Sequence, residues 1–387
     1  MLFTNNICVN SLQCGIKLSS HPLINAETLN NSYNNVISNN IFTWEKDYEF
    51  GLVQWDVGKT YSPVGIMLQC HSSTTKISNN VIDMSMIIQV IPNPIQESAG
   101  ISIIRGATDE GYYYKNIDVT GNFIKPYFNK NISLVVSPYV ENLNISGNTM
   151  EGKIIISSTA VFPKQFGTLT INANTISNSI AFNYLSLTCN FRKIDITNNI
   201  FNSKNVGSGY NSLIELNDIT SEYLTISGNS MEVGEIISYS ATKLNIKKIN
   251  ISNNFIQAVT LNTHANTLSV NLCGNSIYNA KNTFYLISDS LTTIFNISGN
   301  GGYVTGFVNL NQGRIRINGN SLSTHSGTPF TFGASVFIDG GEYWGSGVPT
   351  ASALSGVRYY DFSVTLDNTY IKTTTTGATG WKKIATI

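Results

Sequence analysis

The sequence predicts an all-β solenoid of about twelve stacked coils, followed by a small β-rich C-terminal element. A short phrase, apolar-x-apolar-x-[Asn/Gly/Ala]-Asn-x-apolar, recurs along the chain and settles to a spacing near 25 residues from its fourth copy onward. A repeat of this length is typical of solenoids, in which each copy packs on the next. The second polar residue of the corner is Asn6, Asn40, Asn80, Asn122, Asn148, Asn174, Asn199, Asn229, Asn254, Asn275, Asn300 and Asn320.

The apolar positions of the phrase predict strands with one buried face. Apolar and polar residues alternate before each asparagine, as in Leu143-Asn144-Ile145, and this period of two belongs to a strand, whereas a helix would need a period near 3.6. The position three before the asparagine holds Phe3, Ile37, Ile77, Val119, Ile145, Ile171, Ile196, Ile226, Ile251, Leu272, Ile297 and Ile317. The position two after it holds Cys8, Phe42, Ile82, Ile124, Met150, Ile176, Phe201, Met231, Ile256, Ile277 and Leu322, with Gly302 as the exception.

The residue before each asparagine predicts a corner between two strands. Eleven of the twelve copies have Gly or Asn there, the residues that tolerate positive φ, and Ala173 is the exception. Because neighbouring strands lie about 4.8 Å apart, one copy per coil stacks the asparagines above one another. We therefore expect them to face inward and to bond to each other and to the backbone of the bend, as in asparagine ladders.

Composition limits the classes of partner. Charged residues make up only 12% of the chain, with 23 acidic and 23 basic side chains, which disfavours nucleic acid and anionic membranes. No apolar run reaches the length of a membrane span and no signal region follows Met1, so membrane insertion is not expected. Low charge together with 49 asparagines favours a surface that binds neutral polar groups such as sugar hydroxyls.

The cysteines and histidines predict neither a metal site nor a cofactor. The five cysteines are unclustered, without a CxxC pair or a nearby histidine, and are expected to be buried free thiols. The four histidines are isolated, and the chain has no serine-histidine-acid phrase, no phosphate loop and no dinucleotide fingerprint.

The spacing of the repeats divides the chain into regions. The first coils carry long insertions at residues 43–74 and 83–115, which are expected to form loops on one face, often the binding face. The pattern stops after Leu322, so we predict a solenoid at residues 1–325 and a C-terminal β-rich domain at residues 326–387. Since a solenoid needs a cap at each end and this chain begins inside a repeat, it is expected to be a fragment of a longer protein.

These phrases resemble those of a known family. The repeated ISGN, ITNN, ISNN and INGN segments look like the right-handed parallel β-helix of pectate-lyase-like proteins. The neutral, Asn/Ser/Thr/Gly-rich composition is most similar to the phage tailspike branch of that family. The resemblance covers residues 1 to about 322, and it implies a homotrimeric receptor-binding protein of the virion that binds a bacterial surface polysaccharide, such as capsule or O-antigen. It is specific for the architecture and weak for the reaction.

The C-terminal residues carry a second, shorter resemblance. The segment from Gly356 to Asp361 and the later Gly-x-x-x-Trp381 region resemble a terminal segment of many phage tail proteins, roughly G-x-x-Y-F-D through G-x-x-W, with Tyr360 where Phe is usual. This likeness implies a cap over the last coil, a trimerisation element, or both.

Hydrolysis of a polysaccharide needs two carboxylates, about 5 Å apart for retention or about 6.5 to 9.5 Å apart for inversion. Several acids share a position in the repeat but lie three coils apart, or roughly 14 Å, and are rejected as pairs. The rejected pairs are Glu151 with Glu232, Glu141 with Glu222, and Asp118 with Asp195.

The two insertions hold the first-choice candidates, because they combine acids with aromatic residues that can stack on sugar rings and favour the acid form of a carboxyl. The proposed acid and base, with the pair unresolved, come from Glu45, Asp47, Glu49, Asp56, Asp109 and Glu110. The proposed substrate-binding residues are Trp44, Trp55, Tyr112, Tyr113, Tyr114 and Arg105. The alternative is that these loops only pack on a neighbouring subunit.

A second choice is Glu215 with Asp218, in a group that also contains Glu222, Glu232 and Glu235. Residues three apart in a strand face opposite sides, so Glu215 and Asp218 converge only if a turn intervenes. A lyase would need a basic residue, for which Arg105 and Lys115 are available, but no calcium-type acidic cluster accompanies them. The sequence therefore favours a hydrolytic depolymerase and leaves two alternatives open: a non-catalytic polysaccharide-binding adhesin, and a secreted bacterial polysaccharide lyase.

Overall fold

The computed structural model describes the chain as two compact units, Met1–Gly209 and Tyr210–Ile387. The residues that it describes are 1–10, 14–19, 34–45, 48–50, 64–69, 72–89, 99–104, 113–127, 132–137, 139–158, 167–178, 184–203, 212–231, 234–238, 243–324, 330–345, 349–361, 368–374 and 377–386. Within these ranges the regular structure is all strand, with no helix.

Three parallel sheets build the first unit. The strands before each ladder asparagine are β1 (Leu2–Thr4), β4 (Asn34–Ser38), β8 (Ser72–Ser78), β12 (Tyr113–Thr120), β15 (Tyr139–Ser146), β18 (Thr168–Asn172) and β21 (Lys193–Thr197). Those after it are β2 (Ile7–Val9), β5 (Ile41–Thr43), β9 (Val81–Asp83), β13 (Phe123–Lys125), β16 (Thr149–Met150), β19 (Thr175–Asn178) and β22 (Ile200–Ser203). The third sheet contains β3 (Cys14–Ser19), β7 (Val64–Gln69), β11 (Ala99–Ile103), β14 (Ile132–Val136), β17 (Lys153–Ser158) and β20 (Leu185–Cys189), while β6 (Tyr48–Phe50) pairs separately with β10 (Ile87–Gln89).

The second unit has the same arrangement of strands within itself and ends in a small mixed sheet. Its coil strands are β23 (Ser212–Leu216), β24 (Thr220–Ser227), β25 (Ser230–Met231), β26 (Glu235–Ile237), β27 (Asn245–Ser252), β28 (Phe255–Ile256), β29 (Ala258–Thr263), β30 (Ser269–Cys273), β31 (Ser276–Ser288), β32 (Ile294–Ser298), β33 (Gly301–Asn318), β34 (Ser321–Thr324) and β35 (Phe330–Gly345). The C-terminal strands are β36 (Ser352–Ala353), β37 (Arg358–Asp361), β38 (Asn368–Lys372) and β39 (Trp381–Thr386).

Register is maintained from coil to coil, so equivalent residues of the phrase lie beside each other. In the first unit Val119 lies beside Ile145, and Ile145 lies beside Ile171. In the second unit Ile251 lies beside Leu272 and then Ile297. Such stacked parallel strands, with these aliphatic rows fully buried between them, confirm the predicted right-handed parallel β-helix.

The corners have the backbone conformation that the sequence predicts. All twelve residues before the ladder asparagines have positive φ, including Ala173 at 53°. Gly302, the exception to the apolar rule, has a structural reason: a Cβ at this position would lie 2.1 Å from the carbonyl oxygen of Ile277. The close approach of two coils therefore requires glycine where other coils have an apolar side chain.

The ladder asparagines from Asn40 to Asn300 are buried and face inward, as predicted. In the first unit the Nδ2 of Asn148 donates to Asn174 Oδ1 at 2.9 Å and to the Val119 carbonyl of the preceding coil at 2.8 Å. The backbone N–H of Asn148 also donates to Asn174 Oδ1, at 3.0 Å. In the second unit Asn275 makes the equivalent bonds to Asn300 Oδ1 and to the Ile251 carbonyl. One amide thus satisfies buried polar groups on two neighbouring coils.

Aromatic rings continue the core of the second unit into its C-terminal sheet. Ring centroids are 5.3 Å apart between Phe284 and Phe307 and 5.6 Å apart between Phe307 and Phe330. Tyr343 then packs on Phe330 at 6.2 Å and on Tyr359 at 4.8 Å. Because aromatic pairs stabilise each other beyond the area that they bury, this row joins the last coils to the terminal sheet.

Among the described strands, an antiparallel pairing occurs only near the C-terminus. β35 pairs in parallel with β33, β36 and β37, and the first antiparallel pairing is that of β37 with β38. The predicted boundary near residue 325 falls at residues 325–329, which lie outside the described residues. The division into a solenoid at 1–325 and a C-terminal domain at 326–387 stays a prediction.

A bulge in the last coil is held by charge. Asp339 sits at the register shift of β35, where its Oδ2 accepts hydrogen bonds from Arg316 Nε and Nη2 at 2.9 and 2.7 Å and its Oδ1 accepts one from Arg314. Burial alone would raise the pKa of the Asp339 carboxyl, but the hydrogen bonds and charges of both arginines outweigh it and lower the pKa below its usual value.

We expect replacement of Asn148 by alanine to destabilise the first unit by about 3 kcal/mol or more, because several buried groups lose their partner at once. Chemical unfolding followed by circular dichroism measures this change. Asn202→Ala is the matched control, since Asn202 lies in β22 with an exposed side chain, and should shift stability by no more than about 0.5 kcal/mol. Equal losses in both variants would contradict a structural role for the inward amides.

Tyr343 gives a prediction of the opposite sign. Its hydroxyl is buried and has no hydrogen-bond partner among the described residues. Tyr343→Phe should therefore leave the melting temperature unchanged or raise it, because an unsatisfied buried group is removed and the ring is kept. Tyr343→Ala, which removes the ring as well, should cost about 3–5 kcal/mol. A marked loss of stability in the phenylalanine variant would contradict this assignment.

Candidate functional site

Most of the first-choice site lies outside the described residues. This holds for Asp47, Trp55, Asp56, Arg105, Asp109, Glu110 and Tyr112. For Glu49 and Tyr113 the structure gives the strand but not the side chain. The grouping of these loop acids into a pair stays a prediction.

The three remaining first-choice residues have described side chains. Glu45 is exposed, and its backbone N–H donates to Asn10 Oδ1 at 2.8 Å. Trp44 is only 3% exposed and Tyr114 is fully buried, so both rings belong to the core in this chain. Stacking on a sugar requires an exposed ring face, which neither side chain presents here.

The register confirms one of the rejected carboxylate pairs as too distant. Asp118 lies beside Asn144, Asn144 beside Thr170, and Thr170 beside Asp195, which makes three strand spacings, or roughly 14 Å. Asp195 is also ion-paired with Lys193 at 2.7 Å.

The second-choice group contains residues of very different character. Glu232 lies outside the described residues. Glu222 is ion-paired with Lys247 of the next coil at 3.1 Å. Asp218 is exposed in the bend between β23 and β24, with φ at 47°. A turn therefore does follow Glu215, as convergence with Asp218 would require, but no contact joins these two side chains in the described residues.

Glu215 and Glu235 lie together on one outward face of the second unit. Glu215 pairs in register with Ile237, which is two residues after Glu235 in the neighbouring strand. Ile214 and Ile236 are fully buried, so the alternation along both strands directs Glu215 and Glu235 away from the core. One strand spacing and a two-residue rise separate their Cα atoms by roughly 8 Å.

The two carboxyl groups have different surroundings. Glu215 is half-buried, whereas Glu235 is only 8% exposed although it points away from the core. Burial raises the pKa of the Glu235 carboxyl above its ordinary value, because desolvation disfavours the charged form. Two carboxyls on one face with unequal environments are the usual arrangement of an acid and a base.

Neighbouring groups could contact a bound ligand. Gln257 donates its backbone N–H to the Gly234 carbonyl, and its side-chain oxygen is buried with no hydrogen-bond partner among the described residues. Tyr285 continues the outward row of Ile237 through Thr260, and its ring is 39% exposed. The face thus combines two acids and an exposed aromatic ring, and the buried acceptor of Gln257 lies on the neighbouring coil.

Sequence reasoning named Glu235 but did not pair it with Glu215. The nineteen residues between them hide their adjacency, which follows only from the register of β23 with β26 and from a bulge between Ser212 and Ile214. The available signal was the parity of each acid relative to an apolar neighbour, since Ile214 and Ile236 each adjoin one of the two glutamates.

The cysteines differ in part from the expectation. Cys8, Cys14, Cys189 and Cys273 are free thiols, but only Cys189 is fully buried, and the others are half-exposed positions of the coil. Burial raises the pKa of Cys189 to about 12. Cys70 lies outside the described residues.

Comparison of the chain with protein-family models, with curated proteins and with solved structures gave no match. The described residues contain no group of three or more His, Cys, Asp or Glu side chains that could hold a metal ion. They also contain no helix that is long and apolar enough to cross a bilayer.

The buried state of Glu235 predicts a pH-dependent stability. Below the ordinary pKa of 4.5 the carboxyl is protonated in both folded and unfolded chains, so stability is fully present there. As the pH rises toward the higher folded pKa the unfolded chain releases its proton first, and stability falls. Glu235→Gln should therefore be more stable than the parent chain at pH 8 and equal to it at pH 4.

Melting curves from pH 4 to 8 measure this difference. Glu222→Gln is the control, because Glu222 is partly exposed and ion-paired. If the difference in melting temperature between the parent chain and Glu235→Gln does not change with pH, the result contradicts a desolvated Glu235.

Proposed function

We propose that this chain depolymerises a bacterial surface polysaccharide by inverting hydrolysis, with Glu235 as general acid and Glu215 as general base. The observation that supports this most is the placement of a desolvated and a more solvated glutamate on one outward face. Their Cα atoms lie roughly 8 Å apart, a spacing from which two glutamate side chains can place their carboxyls at the separation that inverting enzymes use, about 6.5 to 9.5 Å.

The roles follow from the environments. Glu235, whose acid form is favoured, donates its proton to the glycosidic oxygen while the bond from that oxygen to the anomeric carbon breaks. Glu215 accepts a proton from a water molecule, whose oxygen forms the new bond to the anomeric carbon on the opposite face of the sugar. The products are two shorter chains, and the carboxyls return to their starting forms by proton exchange with solvent.

The biological setting that we propose is a phage tailspike. The parallel β-helix, the low charge and the resemblance of the repeated phrases support a homotrimer in the virion that binds capsule or O-antigen. Light scattering of the purified chain before and after mild heating tests the trimer, which should resist dissociation. A stable monomer, together with products that absorb in the ultraviolet, would instead favour the secreted lyase.

Amide substitutions test the acid pair. On a panel of purified capsules and O-antigens, the parent chain should release reducing ends from at least one member. Glu235→Gln and Glu215→Gln should each lower that rate by about 10²- to 10⁴-fold, because each removes one proton transfer. Glu222→Gln, with its ion pair to Lys247, is the matched control and should keep the parent rate.

Other outcomes would contradict the assignment. Full activity in both variants, with loss on amide substitution of Glu45, Asp47, Glu49, Asp56, Asp109 or Glu110, would place catalysis in the insertion loops. Binding to a panel member without release of reducing ends would identify a non-catalytic adhesin.

A further inference from the structure

A polar depression lies on the first unit, on the outward face of β8, β12, β15 and β18. Its volume is about 340 Å³, within the range of small-molecule sites. Its polar lining side chains come from alternate strand positions and are threonines, asparagines and one aspartate, all half-buried, and the buried residues Ile117 and Leu143 complete the lining. No residue of the Glu215–Glu235 pair belongs to this unit.

One row of the depression is an outer amide ladder. Asn142 Nδ2 donates to Asn116 Oδ1 at 3.0 Å, and Asn142 Oδ1 accepts the backbone N–H of Thr168 at 3.1 Å. Asn116 Nδ2 in turn donates to the Ser73 carbonyl at 3.4 Å. These contacts fix both amides without a ligand, so little side-chain entropy remains to be lost on binding.

The second row presents groups that the protein leaves unused. Asn144 Nδ2 donates to Asp118 Oδ1 at 3.2 Å. Within the described residues the other oxygen of Asp118 and the amide oxygen of Asn144 accept no hydrogen bond. Thr170 adds a hydroxyl on the next strand, in register with Asn144. The row therefore offers acceptors and a hydroxyl at intervals of one strand spacing, about 4.8 Å.

The charge of the lining selects the class of ligand. Asp118 is the only charged side chain of the lining, and the exposed Lys76, which lies beside Asp118 in register on β8, is not part of the lining. A carboxylate with a free oxygen accepts strong hydrogen bonds from hydroxyl groups and repels anions. The lining is thus better suited to a neutral polyol than to a sulfated or uronate chain.

We propose that this depression is a binding site for a neutral oligosaccharide, held by hydrogen bonds to Asp118, Asn144 and Thr170. It deepens the proposed function, because it supplies a second point of attachment for a surface polysaccharide. Its residues are separate from the acid pair, so the two proposals can fail independently.

An array of neutral oligosaccharides built from hexoses, deoxyhexoses and N-acetylhexosamines is the probe, with uronate, sialylated and sulfated chains as charged arms. Glu235→Gln serves as the background, so that cleavage does not remove the probe. It should bind at least one neutral member, and adding Asn144→Ala or Asp118→Ala should weaken that binding about 10-fold or more, since each removes a hydrogen bond to the ligand.

Asn250→Ala is the matched control. Asn250 occupies the same position in its repeat as Asn144, four residues before a ladder asparagine, but lies in the second unit. It should bind like the background, and all variants should share its melting temperature within a few degrees.

The proposal is overturned if no neutral member binds, if only acidic chains bind, or if Asn144→Ala and Asp118→Ala bind as well as Asn250→Ala. If the parent chain releases no reducing ends but Asn144→Ala and Asp118→Ala lose binding, the result supports this site and contradicts the acid pair. If the parent chain releases reducing ends and binding is unchanged in all variants, the result supports the acid pair and contradicts this site.

Discussion

The inward asparagine ladder is the interaction on which the rest of the structure depends. Each interior amide donates to the next asparagine and to a carbonyl of the preceding coil, as Asn122 does to Asn148 and to Ile77. Aspartate has no N–H to donate in this position, and serine is too short to reach both coils. The corner can therefore be closed and buried only if the coils keep one register, and that register then applies to every strand attached to the corner.

Fixed register also determines which outward side chains can act together. Residues at the same position of successive repeats are one strand spacing apart. Two side chains can therefore act on one substrate bond only if they lie on adjacent coils, either directly beside each other or offset by two residues along the strand. Asp118 and Asp195 fail this condition, with Asn144 and Thr170 between them. Glu215 and Glu235 meet it because a bulge in β23 moves Glu215 into line with Ile237.

The coils could be predicted from the sequence because their constraints are local. A corner needs positive φ, a buried amide needs partners, and an apolar row needs a core. The structural roles of Gly147, Asn148 and Ile145 can therefore each be predicted from the residue type and its position in the repeat. The exceptions were also informative: Ala173 adopts the strained corner, and Gly302 relieves the close approach of Ile277. The conformation and packing of each of these residues depend only on its own coil and the adjacent one.

The candidate site could be predicted only in part, because the exposure of an outward side chain depends on neighbouring coils that are distant in the sequence. Trp44 and Tyr114 looked like sugar platforms in long insertions, yet both follow the strand alternation into the core. Glu235 was named only as one acid of the second-choice group, and its 8% exposure could not be predicted from the sequence. The polar row of Asp118 and Asn144 was visible as outward positions, but only the side-chain bonds show which of their oxygens remain unused.

The stereochemistry of hydrolysis tests most directly the claim that coil register sets the chemistry. Proton NMR of the first reducing ends released from a susceptible polysaccharide, recorded before mutarotation, identifies their anomeric configuration. The proposed pair, whose Cα atoms lie one strand spacing and a two-residue rise apart, predicts inverted configuration. Retained configuration would mean carboxyls only about 5 Å apart and would contradict the Glu215–Glu235 assignment.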